Sequence, residues 1–154
     1  MAEENKHIVF ALGRETYGIP ILEIVVIERT MNITPIPGTP DFVRGIANLH
    51  GKIIPILDLK SKFGIGTIEE TDETCIIIVT VGTSQGVQTY GLMVDEVSEV
   101  LDISEGFIEP VPKYGDIHIN QRFMSGIGKV DEKVIILLDI TKILEQEENA
   151  LQPI

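Results

Sequence analysis

A chain of 154 residues can bury roughly two thirds of its unfolded surface in one domain, or divide into two small ones. Its net charge of −12, from 24 acidic against 12 basic residues, works against nucleic acid phosphates and anionic lipid as partners, and no apolar run approaches the ~18 residues of a membrane helix. A single cysteine, Cys75, excludes an internal disulfide, and the polar, acidic start at Met1 to Lys6 is unlike a secretory signal, so a reducing cytoplasm is the expected location.

Isoleucine, valine and leucine abound while aromatics are only 5% of residues, and 14 glycines with 8 prolines interrupt the chain at short intervals. β-branched residues between frequent turns predict a mainly β protein. In chain order, His7 to Leu12 and Thr16 to Ile19 read as strands about a turn at Gly13 to Glu15. The apolar run Ile24 to Ile27 predicts a strand covered on both faces, and the three prolines in Asn32 to Pro40 predict a stiff, extended loop. Asp41 is placed to cap a helical turn through Phe42 to Arg44; Ile46 to Leu49 and Lys52 to Asp58 then form a hairpin over His50 and Gly51. A helical turn at Leu59 to Phe63 leads into a polar loop at Gly64 to Thr74.

In the second half, Cys75 to Val81 and Thr89 to Asp95 read as paired strands, and Val97 to Ile103 continues extended. Glu109 to Asn120 is another proline-marked excursion. Arg122 to Val130 and Val134 to Leu138 form a hairpin turning at Asp131 to Lys133, and a helix begins at Thr141 with Ile140, Ile143 and Leu144 on its docking face. Residues 1–6 and 149–154 are expected to fray.

The two halves resemble each other. Shifted by 81 positions, Phe42, Gly45, Ile46, Lys52, Ile54, Leu57 and Asp58 fall on Phe123, Gly126, Ile127, Lys133, Ile135, Leu138 and Asp139. Shifted by 73, Tyr17, Gly18, Glu23, Ile24 and Ile27 fall on Tyr90, Gly91, Glu96, Val97 and Val100. Between these blocks, Ile33 to Pro37 echoes Ile108 to Pro112. Matching blocks in one order imply two similar subdomains, at roughly 16–74 plus terminal elements and 75–140, each with about five short strands closing a small barrel. Their apolar seam would leave grooves where they meet.

Catalytic equipment is not legible. Cys75 opens the apolar run CIIIV and reads as core; the histidines at 7, 50 and 118 lack metal-ligand spacing. Gly126-Ile127-Gly128 lacks the third glycine and strand-to-helix setting of a nucleotide loop. The expectation is a binding protein with no enzyme activity, cofactor or metal.

The segments "ITPIPGTPDF", "FVRGIANLHGKIIPILDL" and "YGLMVDEVSEVL" together resemble the CheW family of chemotaxis coupling proteins, over about Ile8 to Leu144. The resemblance implies two five-stranded Src-homology-3-like barrels in one domain at 7–144. It also implies a scaffold that binds the cytoplasmic tips of methyl-accepting chemoreceptors and the regulatory domain of the histidine kinase CheA. By motif position, the receptor groove would use Ile24, Val26, Gly45, His50, Gly91, Val97 and Val100; the kinase contact would centre on Ile21, and a ring-closing array contact on Glu109 and Tyr114. Two departures stand out: the family's usual "NLRG" is "NLHG" here, and Val26 holds a position where glutamate is common, with Glu28 two residues on. The competing expectations are a coupling protein of another receptor–kinase pathway, such as surface motility, and a small metabolite-binding barrel or enzyme.

Overall fold

The computed structural model describes residues 5–29, 31–84, 86–111 and 121–150. Strands β1 (Lys6–Leu12), β2 (Glu15–Pro20), β3 (Ile24–Glu28), β4 (Val43–Leu49) and β5 (Lys52–Asp58) precede a short helix, α1 (Leu59–Lys62). They are followed by β6 (Cys75–Thr83), β7 (Gly86–Val94), β8 (Glu96–Asp102), the two-residue β9 (Ile108–Glu109), β10 (Met124–Val130), β11 (Lys133–Leu138) and helix α2 (Ile140–Ala150). The chain is mainly β, in two barrel-like sheets.

The sheets do not follow the halves of the sequence. One runs β8, β1, β2, β11, β10, β9 and the other β3, β6, β7, β5, β4. The expected division near residue 75 therefore marks the repeat in the sequence but not the boundary of a sheet. The first two strands of each repeat pair inside the sheet built by the last strands of the other, through two parallel joints: β11 beside β2 and β5 beside β7.

The repeat is reproduced down to single hydrogen bonds. Leu137 pairs with Gly18 as Ile56 pairs with Gly91. Asp58 and Asp139 donate their backbone N–H to the carbonyls of Phe42 and Phe123 at 2.7 and 2.8 Å, and their Oδ1 atoms accept from the Ser61 and Lys142 amides that open α1 and α2. Each hairpin tip carries a non-glycine residue with positive φ, His50 at 51° and Asp131 at 57°. Gly45 sits at a bulge with φ 145° against the carbonyl of Thr34, where a Cβ would collide. Gly126 repeats the bulge against Ile108 and Glu109.

β1, β6 and β7 are buried on both faces over most of their length. On β1, Ile8, Phe10 and Leu12 join a core shared with the other sheet, while Val9 faces Ile103, Ile135 and Leu137 inside its own barrel. Rings at Phe10, Tyr17, Phe63 and Phe123 stack at 6.0, 5.8 and 5.9 Å between centroids, tying β1 and β2 to the residue that ends α1.

Four local expectations change. Val25 is 57% exposed, so β3 is an outer strand, not one covered twice. The helical turn at Phe42 to Arg44 is absent: the Val43 amide donates to the Pro40 carbonyl and the chain enters β4 at once. Asn5 and Lys6, placed in the frayed tail, are held, since Lys6 pairs with Asp102 and the Asn5 carbonyl accepts from the Ile103 amide and from His7 Nδ1. Residues 149 and 150 continue α2.

The parallel joints need glycine. A Cβ on Gly91 would stand 2.5 Å from Ile56 Cδ1 and 2.9 Å from Ile76 Cγ2. Gly91→Val is expected to lower stability by about 1–3 kcal/mol through overpacking, read as a lower midpoint in urea unfolding; an unchanged midpoint would contradict this close approach.

Candidate binding seam

Residues directly opposite one another on paired strands share a face. Ile24 lies opposite Val79 and Ile27 opposite Ile77, so both share the face of β6 that meets the other barrel. The equivalent outer strand, β8, places Val97 opposite Phe10 and Val100 opposite Ile8, again on the seam face. Bulges in both pairings bring residues three apart onto one side. The result is four aliphatic side chains at pseudo-equivalent positions on two outer strands, three half-buried and Val100 48% exposed.

The other expected residues separate. Val26 is half-buried opposite Ile78, on the face that turns into its own barrel. Gly45 and Gly91 are buried and accounted for by the bulge and the parallel joint, so neither lines an open groove. His50 stands exposed at the β4–β5 tip, in a primed turn with Gly51 at φ 88°, whose amide donates to Asn48 Oδ1 at 2.7 Å. Ile21 is half-buried against the shared core in the 3-10 turn Ile21–Glu23, beside Leu22, which is 64% exposed. Glu109 is exposed and accepts from Lys129 Nζ at 2.8 Å. Tyr114 lies outside the described residues.

Sequence reasoning missed Ile27 as a seam residue, although it had been matched to Val100, because a two-residue alternation set by Ile24 would turn it away; only the bulge brings it back. It also missed the exposed Leu22. The repeat counterpart of Leu22 is Asp95, which accepts from the Gly13 amide at 2.7 Å and pairs with Lys60 at 3.4 Å. The position matching Lys60 is Thr141, and there the ion pair gives way to an open cavity of about 270 Å³ lined also by Val81, Gly82, Leu144 and Glu145. The two ends of the molecule thus share a backbone but differ in chemistry.

Among the described residues, no three His, Cys, Asp or Glu side chains converge in a way that would hold a metal ion. Cys75 is buried, with its thiol donating to the Glu73 carbonyl at 3.4 Å. None of the described helices is long and apolar enough to cross a membrane.

Residues 6–148 match the family model described as CheW-like domain. The chain is 37% identical over 147 residues to the chemotaxis protein CheW of Klebsiella aerogenes, covering 96% of this chain and 86% of that protein. It is 30% identical over 149 residues to the chemotaxis protein CheW of Helicobacter pylori, covering 94% and 87%. Among solved structures, the scaffolding protein TtCheW of Thermoanaerobacter tengcongensis superposes with a TM-score of 0.82 at 42% identity, over 92% of this chain and 93% of that one.

One acid near the seam is out of balance. Glu23 Oε2 is buried with no hydrogen-bond partner among the described residues, and burial, with the Asp139 carboxylate adding to it, raises the Glu23 pKa above the usual carboxylate value. A carboxyl whose pKa rises on folding favours the folded state while it is neutral, and that contribution is lost as pH climbs through the raised value. Glu23→Gln is therefore expected to stabilise the protein at pH 8 relative to the parent and to show a smaller difference at pH 4, measured by urea unfolding at both; a gap independent of pH would contradict the burial.

Proposed function

The chain belongs to the CheW family, whose members are scaffolds, and from that premise we propose that it couples chemoreceptors to the histidine kinase CheA. The observation that carries this reading is the set of four aliphatic side chains, Ile24, Ile27, Val97 and Val100, on two outer strands of one seam. A receptor tip is a helical hairpin, and an amphipathic helix recognises its target by laying an apolar face against such anchors.

Ile24, Val97 and Val100 bear the receptor contact, with His50 at its edge. Val26, Gly45 and Gly91 support it from beneath as barrel interior and strand joint. The kinase contact lies at the 3-10 turn bearing Ile21, where exposed Leu22 adds a second apolar side chain; the regulatory domain of CheA, itself a pair of similar barrels, docks end to end. The array contact that closes rings uses Glu109, on the other barrel, together with Tyr114. In this role the protein works in the cytoplasm at the inner face of the membrane, brought there by receptors, and performs no catalysis.

The energetics are adequate. Burying one aliphatic side chain contributes about 1.5–3 kcal/mol, so a few anchors sustain micromolar capture after the costs of association.

Val100 gives a clean test because it is already 48% exposed, so a charge there leaves the core intact. Val100→Arg is expected to weaken capture of a purified receptor cytoplasmic fragment by about 10-fold or more, with the unfolding midpoint and CheA binding unchanged. Receptor capture equal to that of the parent would count against the seam.

A further inference from the structure

Beyond the aliphatic positions, the far end of β3 opens into a notch of about 260 Å³ lined by Glu28, Met31, Asn32, Asn48, Leu49 and His50. Its chemistry is one-sided. Glu28 is half-buried and has no ion pair or hydrogen bond to its side chain among the described residues. The cations next to the notch along the chain are engaged elsewhere: Arg29 donates to the Asp72 carbonyl, and Lys52 Nζ donates to Thr89 Oγ1 at 3.0 Å. The notch therefore presents a carboxylate with no lysine or arginine of its own lining it.

Position 50 explains the opening. His50 lines this notch at the position where the family usually has arginine, which would add a cation to the lining. Histidine is shorter and lacks the bidentate fork. With His50 the tip keeps its shape, fixed by the Asn48 side chain and the positive φ of His50, but leaves the acid unanswered.

We propose that this notch receives a lysine or arginine side chain from the receptor tip, paired to Glu28, and so selects receptors that carry a cation beside their apolar contact face. The proposal rests on the receptor-capture reading above and adds the chemistry of its specificity. Met31 and Leu49 cover the aliphatic stem of the incoming side chain, and the Asn32 amide oxygen is a second acceptor for its N–H groups. A carboxylate partly withdrawn from water attracts a cation more strongly than a fully solvated one. The overall charge of −12 draws a basic group in the same direction.

The test is calorimetric titration of the full chain with a receptor cytoplasmic fragment and, separately, with CheA, each at about 0.05 M and about 0.5 M salt. Glu28→Gln is expected to weaken receptor capture about tenfold at low salt, with the difference shrinking at high salt. Glu28→Lys is expected to weaken it further, and His50→Arg to weaken it by filling the notch from within, all three leaving CheA binding and the unfolding midpoint unchanged. Receptor capture by Glu28→Lys equal to that of the parent would overturn the proposal, as would a loss confined to CheA or one indifferent to salt. A parent chain that captures neither partner would overturn the adaptor reading itself, and the notch assignment with it.

Discussion

Two parallel strand joints hold this architecture together. β2 lies against β11, and β5 against β7, at places where a glycine lets the strands close tightly: Gly18 beside Leu137 and Ile135, where a Cβ would be crowded, and Gly91 beside Ile56 and Ile76, where it would collide. Each joint carries strands from one repeat into the sheet of the other. Neither repeat can complete a barrel from its own strands, because the strand that would pair with its last hairpin belongs to its partner. The reciprocal exchange makes two small barrels into one cooperative unit, and the aromatic stack from Phe10 to Phe123 consolidates it across the seam.

The same constraint generates the proposed binding surface. Exchange places β1 and β6 centrally, buried on both faces, and pushes β3 and β8 outward as related outer strands. A bulge in each turns two aliphatic side chains toward the seam. Pseudo-symmetry ends at the side chains that water reaches. One hairpin tip bears His50 and the other Asp131; one barrel junction holds the Lys60–Asp95 ion pair, while in the other half Leu22 is exposed and Thr141 lines an open cavity. A duplicated backbone with dissimilar surfaces is consistent with the proposed scaffold role.

Much of this was legible in the residues. The repeat was readable because glycines, prolines and capping aspartates have backbone duties that leave marks at fixed spacing: Tyr17-Gly18 and Tyr90-Gly91 at the joints, Asp58 and Asp139 at the helix starts. The strand exchange was not readable, since alternation of apolar residues says which face is buried but not which strand lies alongside. The bulges at β3 and β8 were also hidden, and with them the place of Ile27 and the inward turn of Val26. A motif carried Gly45 and Gly91 into the expected groove, whereas their burial shows that the fold itself demands them. Glu28 is legible in the sequence only as an acid two residues beyond Val26, because an acid near a loop reads as ordinary solvated surface until the notch around it is seen.

The most direct measurement of the central claim is an amide chemical-shift titration of the isotopically labelled chain with a receptor cytoplasmic fragment. If two exchanged barrels grip one helix along their common seam, resonances of β3 and β8 shift together, in proportion, at a single affinity. Shifts confined to one outer strand, or two separate affinities for the two strands, would show that the barrels act independently and that the seam is not the site.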